Sequence, residues 1–188
     1  MAQSVWDRHE PWTFDDLDRL DGLPVEGWRY EIVDGTLEMS PPPAVRHEAV
    51  AYRLGRALDA ALPESAVCFG PVGVELGASH RVPDLVVVDR ATLADPAPRL
   101  HAEQVHIAIE IVSPTSRTTD RITKPAQYAA HGIPAYWRVE TDNVVGVTAY
   151  ALRDGATAYT EVGTWREGET LEVEQPFALR VAIDDLVP

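Results

Sequence analysis

The chain of 188 residues contains one cysteine, Cys68, which excludes an intramolecular disulfide and any cysteine-rich zinc cluster. Cys68 falls in a predicted strand and reads as a small buried thiol. No run of about 18 consecutive apolar residues occurs, so no transmembrane helix is expected. Met1-Ala2-Gln3-Ser4-Val5-Trp6-Asp7 has neither the basic start nor the apolar stretch of a secretory signal, and a cytoplasmic location is expected. Positive charge is scarce: 16 Lys and Arg stand against 30 Asp and Glu, a formal net charge of −14. That balance argues against an extended nucleic-acid-binding surface, because sequence-independent DNA affinity comes mainly from cations neutralising phosphates. Internal repeats, low-complexity tracts, a Ser-His-Asp order, a phosphate-cradling glycine loop and nucleotide-binding motifs are all missing. The hydrophobic fraction of 45% is ordinary for a globular protein, and residues 1–188 read as one domain.

Local patterns divide that domain into elements. Trp12 to Leu20 has the pattern of a short amphipathic helix, with Thr13 in position to cap it. Trp28 to Val33 and Thr36 to Met39 flank Asp34-Gly35, a dipeptide that favours a tight hairpin turn. Pro41-Pro42-Pro43 ends the hairpin and leads into a helix from about Ala44 to Leu62, whose inward face carries His47, Val50, Leu54, Ala57, Leu58 and Ala61. Strands are predicted over Val67 to Leu76 and Val82 to Val88, with Gly77 to Arg81 as the turn between them. Ala94 to Arg99 is a proline-containing loop. Val105 to Val112 reads as a strand buried on both faces and ends at Ser113-Pro114. A helix from about Ser116 to Ala130 follows, stopped by Gly132 and disturbed by Pro125. Ala135 to Glu140 is a further strand, and Val144 to Leu152 pairs with Thr157 to Val162 around Asp154-Gly155. This order predicts an α+β fold with an α/β core: a mixed β-sheet flanked by helices, with β-hairpins near both ends. The unit from Val105 to Glu140 has the form of a parallel strand–helix–strand crossover.

Glu110 is an expensive occupant of an apolar strand. A buried carboxylate requires a cation, a metal or a hydrogen-bond network. Period two places Glu110 on one face with His106, Ala108 and Val112, and aligns Asp84 with Val86 and Val88. If the two strands are neighbours, both acids converge. Two hard oxygen donors, a main-chain carbonyl and waters suit Mg²⁺ or Mn²⁺, which would polarise a phosphoryl oxygen and activate water. Lys124, on the following helix, would stabilise charge on the phosphate or orient the attacking water. Glu31 is a further acid from the hairpin, and His47 faces inward on its helix.

The segments Tyr30 to Gly35, Pro83-Asp84, Glu110 to Pro114, Asp120 to Lys124, Tyr128 and Gly132 to Glu140 together resemble the Uma2 family. That family was formerly a domain of unknown function within the PD-(D/E)xK restriction-endonuclease-like superfamily. The similarity runs from about Trp12 to Leu186. It implies a restriction-endonuclease-like core with a metal-dependent site in which Asp84 and Glu110 bind the ion and the carbonyl of Ile111 is an extra ligand. The pattern departs at the lysine of E-x-K, whose position here is Val112, and the resemblance suggests a migrated lysine, Lys124. The expectation is a Mg²⁺-dependent or Mn²⁺-dependent endonuclease acting on DNA, with Asp84, Glu110, Lys124, Glu31 and His47 in its site and a homodimer as the simplest assembly. The acidic charge and the displaced lysine keep two alternatives open: an inactive nuclease-like binding module, and a metal-dependent hydrolase of a small phosphorylated substrate.

Overall fold

The computed structural model describes residues 10–20, 27–114 and 116–188. The reading of Met1 to Asp7 as free of a signal lies outside them. Helix α1 (Phe14–Leu20) starts at Thr13, whose main-chain N–H and hydroxyl both donate to the Asp16 carboxylate, at 2.9 and 2.7 Å. Strands β1 (Arg29–Val33) and β2 (Thr36–Ser40) form the expected hairpin. Asp34 and Gly35 both have positive φ, 48° and 77°, the backbone that a two-residue hairpin turn requires. Helix α2 (Val45–Ala61) buries His47, Val50, Leu54 and Leu58.

The next stretch departs from the sequence reading. The single strand expected from Val67 to Leu76 is two, β3 (Ala66–Phe69) and β4 (Val74–Leu76), interrupted at Gly70-Pro71, where proline offers no N–H to a ladder. The expected turn from Gly77 to Arg81 contains a strand, β5 (Ser79–Arg81), paired with both β4 and β1. Only Gly77 and Ala78 turn the chain. Strand β6 (Leu85–Asp89) begins after Asp84, so Asp84 stands at its mouth. A 3₁₀ turn (Arg90–Ala94) and the short β7 (Leu100–His101) precede β8 (Val105–Ile111).

The helix after β8 is not uniform. Thr119–Thr123 winds as a π-turn, closed by the Lys124 N–H on the Thr119 carbonyl, and α3 (Lys124–Ala130) continues from it with Pro125 in its first turn. Proline is tolerated there because its missing N–H falls where the helix is already rewound. Strand β9 (Ala135–Glu140) then pairs parallel to β8, as the crossover pattern predicted. Strands β10 (Gly146–Ala151) and β11 (Thr160–Arg166) complete the later hairpin, and a hairpin absent from the sequence reading, β12 (Thr170–Val173) with β13 (Leu179–Ala182), follows.

The main sheet has the order β11-β10-β9-β8-β6-β3, and a second sheet runs β2-β1-β5-β4-β7. Alternation along the central strands gives the main sheet two apolar faces. Leu85, Val87, Ile107, Ile109 and Trp137 pack with Val50, Leu54 and Leu58 of α2. Val86, Val88, Ala108 and Tyr136 pack with Tyr128 and Ile133. Trp137 is therefore core, while Tyr150 and Tyr159 stack on the buried Tyr136. Among the described residues no helix is long and apolar enough to cross a membrane.

Leu54 is fully buried between α2 and the sheet. Leu54→Ala is expected to lower the unfolding free energy by about 2–5 kcal/mol with an unchanged denaturant slope, read by urea titration.

Candidate active site

Pairing of β6 with β8 sets Leu85 opposite Ile109, which brings Asp84 beside Glu110 at the end of the sheet. Three donors hold the Asp84 carboxylate. Arg29 Nη1 donates to Oδ1 at 2.6 Å, the Ile111 N–H to Oδ2 at 2.7 Å, and His47 Nε2 lies 3.2 Å from Oδ2. An ionised carboxylate offers only acceptors, so His47 donates here. Burial pushes the Asp84 carboxyl up, but His47 and then Arg29 outweigh it and bring it down to about 2. The partner effect is reciprocal: burial opposes the charged form of His47, and Asp84 raises its pKa above the ordinary histidine value.

Glu110 is 1% exposed and shares the face of Ala108, toward α3. Its Oε1 accepts the Tyr128 hydroxyl at 2.7 Å and lies 2.9 Å from Lys124 Nζ. The same ammonium is 3.5 Å from Glu31 and 3.6 Å from Asp120. Asp120, Lys124 and Tyr128 follow one another at intervals of four, and the π-turn before α3 sets this row against the sheet. Tyr136 fixes the turn by donating its hydroxyl to the Asp120 carbonyl, and Ser116 bonds the Asp120 carboxylate. Burial raises the Glu110 carboxyl to about 8; Lys124 opposes the rise, and Asp84, Asp120 and Glu31 add to it. For Lys124, burial favours the neutral amine, but Glu110, Glu31 and Asp120 together hold its pKa above the usual lysine value.

Glu31 comes from the hairpin. Its Oε1 accepts the Val82 N–H at 2.7 Å, and its Oε2 accepts Arg81 Nη1 at 2.9 Å. Arg81 also reaches Glu38 at 2.8 Å and Gln127 at 2.8 Å. Burial raises the Glu31 carboxyl, yet Lys124, Arg81 and the Val82 N–H lower it further than burial lifts it.

All five residues singled out in the sequence, Asp84, Glu110, Lys124, Glu31 and His47, line one cleft of about 390 Å³, together with Arg29, Asp120 and Ile111. Sequence reasoning missed Arg29 and Arg81, and it assigned Asp120 no role in the site. A signal for Arg81 was present. The two-residue turn puts Glu31 directly opposite Glu38, and facing like charges require a cation between them. A second signal was overlooked: Lys124 is the only lysine in the chain, beside 15 arginines.

The donor set fits a hard divalent cation. Among the described residues no group of three or more His, Cys, Asp and Glu side chains is arranged to hold a metal by itself. Asp84, Glu110 and the Ile111 carbonyl would supply only part of a shell, the arrangement in which Mg²⁺ keeps several waters and uses one or two carboxylates with substrate oxygens. A carboxylate has about four lone-pair sites. Asp84 uses three for Arg29, His47 and Ile111, which leaves one directed by a rigid framework.

Because the chain has a single lysine, ¹⁵N-lysine labelling gives one side-chain resonance to follow. In metal-free protein Lys124 is expected to remain an ammonium past pH 10.5, its ordinary value, and to lose its proton at lower pH in Glu110→Gln. Glu110 contributes in the opposite sense. A carboxyl raised to about 8 lends stability below its unfolded value of 4.5, and that stability is lost as pH rises through 8. The melting temperature of Glu110→Gln relative to wild type should therefore increase from pH 5 to pH 8.5, measured by calorimetry in chelator.

The comparisons with known proteins agree with this architecture. A crystal structure of a protein described as a "putative nuclease belonging to DUF820" from Anabaena variabilis ATCC 29413 superposes with a TM-score of 0.68, covering 94% of this chain and 98% of that one at 22% identity. At that identity the likeness is one of fold. No curated protein matches the chain. The family model described as "Putative restriction endonuclease" matches residues 14–184, and the chain belongs to the Uma2 family.

Proposed function

We propose that this protein is a divalent-metal-dependent endonuclease that hydrolyses phosphodiester bonds in DNA. The observation that carries the reading is the cleft in which Asp84, Glu110 and Lys124 meet, with Lys124 2.9 Å from Glu110 although the usual lysine position holds Val112. Family membership and fold support a nuclease, and the residues that line the cleft support metal-assisted chemistry. Asp84 and Glu110, with the Ile111 carbonyl, would hold Mg²⁺ or Mn²⁺, which when bound supplies charge neutralisation on the phosphate and a lower pKa for water.

The chain's own groups have separable tasks. Arg29, His47 and the Ile111 N–H fix Asp84 in its ionised form and one orientation. Tyr128 fixes Glu110. Lys124 brings a compact positive charge to the cleft, where it would stabilise negative charge accumulating on phosphate oxygens in the transition state. Glu31 is a poor base, because Arg81, Val82 and Lys124 occupy its oxygens and favour its ionised form. Its task is to position Lys124.

Plasmid nicking in Mg²⁺ or Mn²⁺ tests the proposal. Wild type should nick, and chelator should stop it. Glu110→Ala should lose activity by at least about 10²–10³-fold with its circular dichroism spectrum unchanged. Wild-type activity in that variant, or cleavage in chelator, would sink the proposal. Lys124→Arg should also be impaired by at least tenfold, since a planar guanidinium does not replace an ammonium surrounded by three carboxylates. Titration calorimetry with Mn²⁺ should show binding to wild type that the double variant Asp84→Ala/Glu110→Ala lacks.

A further inference from the structure

A second cleft of about 360 Å³ opens beside the first and shares Arg29, His47 and Asp84 with it. Whatever occupies it lies next to the proposed scissile phosphate. One wall is the face of α2 that carries Ala51, Tyr52, Gly55 and Arg56, and Leu85 and Phe69 lie across from it.

Three features of this wall have no explanation in folding. Tyr52 is 66% exposed, a large aromatic ring at the rim. Arg56 is exposed and has no hydrogen-bond or ion-pair partner among the described residues, whereas Arg46 and Arg53 on the same helix donate to the carbonyls of Thr141 and Asp185. Gly55 sits inside a 17-residue helix, where glycine costs about 1 kcal/mol relative to alanine. A Cβ at Gly55 would meet only Leu85 Cδ2, at 3.7 Å, which is ordinary van der Waals contact. Packing of the chain does not call for glycine there.

We infer that this cleft is a nucleotide subsite, which takes the base and phosphate adjoining the scissile bond from an unpaired stretch of strand. The inference rests on the phosphodiesterase reading of the neighbouring cleft and names its substrate class. An aromatic face stacks on any base, and a base is free to stack in this way only where it is not held in a duplex. A guanidinium with no protein partner takes a phosphate oxygen. The half-buried Ala51 suits the flat face of a base, and Gly55 lets that base approach the helix. Two further acids line the same cleft besides Asp84. The Asp59 carboxylate accepts the Cys68 N–H at 3.0 Å, and Glu48 lies 3.5 Å from His47 Nδ1.

The test is equilibrium binding of a fluorescein-labelled single-stranded hexanucleotide, and of the same sequence as a duplex, to the full chain in chelator. Wild type should bind the single strand more tightly than the duplex. Tyr52→Ala should weaken single-strand binding about tenfold or more, as expected for loss of one base–aromatic stack, and Tyr52→Phe should restore it. Gly55→Leu should weaken binding while its melting temperature stays at or above that of wild type, because leucine favours the helix. With Mg²⁺ present, Tyr52→Ala should raise KM for the oligonucleotide. Equal affinity of wild type and Tyr52→Ala, wild-type binding by Gly55→Leu, or preference for the duplex would overturn the subsite. Binding in chelator is read without turnover, so an absence of cleavage would remove the nuclease reading while these affinities decide the subsite on their own.

Discussion

The contact between the Lys124 ammonium and the Glu110 carboxyl, 2.9 Å apart, is the constraint around which the site is built. Desolvating one carboxylate costs several kcal/mol, and Glu31, Asp84, Glu110 and Asp120 are all buried. A fold tolerates such a group only if cations are delivered to it with good geometry. Lys124 is that cation for three of the four acids, at 2.9, 3.5 and 3.6 Å. An ammonium has three donors on one atom, and three carboxylates converge on it. Arginine, which supplies every other permanent side-chain positive charge in this chain, spreads its donors in a plane and does not match that convergence.

Much of the surrounding architecture serves to place this one nitrogen. A parallel pair such as β8 and β9 needs a crossover, and the crossover must return over the face that Glu110 shares. The π-turn at Thr119–Thr123 adjusts the phase of the returning helix so that Asp120, Lys124 and Tyr128 all face the strand. Tyr136, from β9, holds the turn from below. On the hairpin side, Arg81 separates Glu31 from Glu38, and Glu31 in turn limits where Lys124 can go. Sequence-distant elements thus hold one another through charge, and an apolar replacement of Lys124 or Arg81 would strip buried acids of their cation.

What could be read in the sequence follows the range of the forces involved. Period-two alternation, the Asp34-Gly35 turn and the helical face of α2 are local, and they gave the hairpin, the helix and the buried strand close to their observed limits. Asp84 and Glu110 were legible because acids in apolar strands violate a local rule. The break at Gly70-Pro71 was legible in principle, since proline cannot donate within a ladder, but continuous hydrophobicity on either side obscured it. Strand β5 was not, because Ser79-His80-Arg81 has no strand pattern of its own; it pairs with β1 and β4 because a charged side chain there satisfies two glutamates. The contact of Arg29 with Asp84 spans 55 positions and has no local signature. Nor does the π-turn, which precedes Pro125 and the row Lys124 and Tyr128 that meets Glu110.

The acidity of the chain also finds a place in this picture. Many of its arginines are already engaged: Arg90 with the carbonyls of Glu64 and Ala66, Arg99 with Glu75, Arg117 with Asp142, Arg121 with Glu140 and Arg180 with Glu172. A surface of this kind neutralises few phosphates at a time, so it gains little from counterion release and little non-specific hold on a long duplex. On the nuclease reading proposed above, affinity would come from a short segment held at close range. The cleft supplies cations at Arg29 and Lys124, and the neighbouring wall of α2 supplies an unengaged Arg56 and an exposed aromatic face. A net charge of −14 is therefore compatible with phosphodiester chemistry when recognition is local, and it disfavours the wide basic groove by which a duplex is gripped along its length.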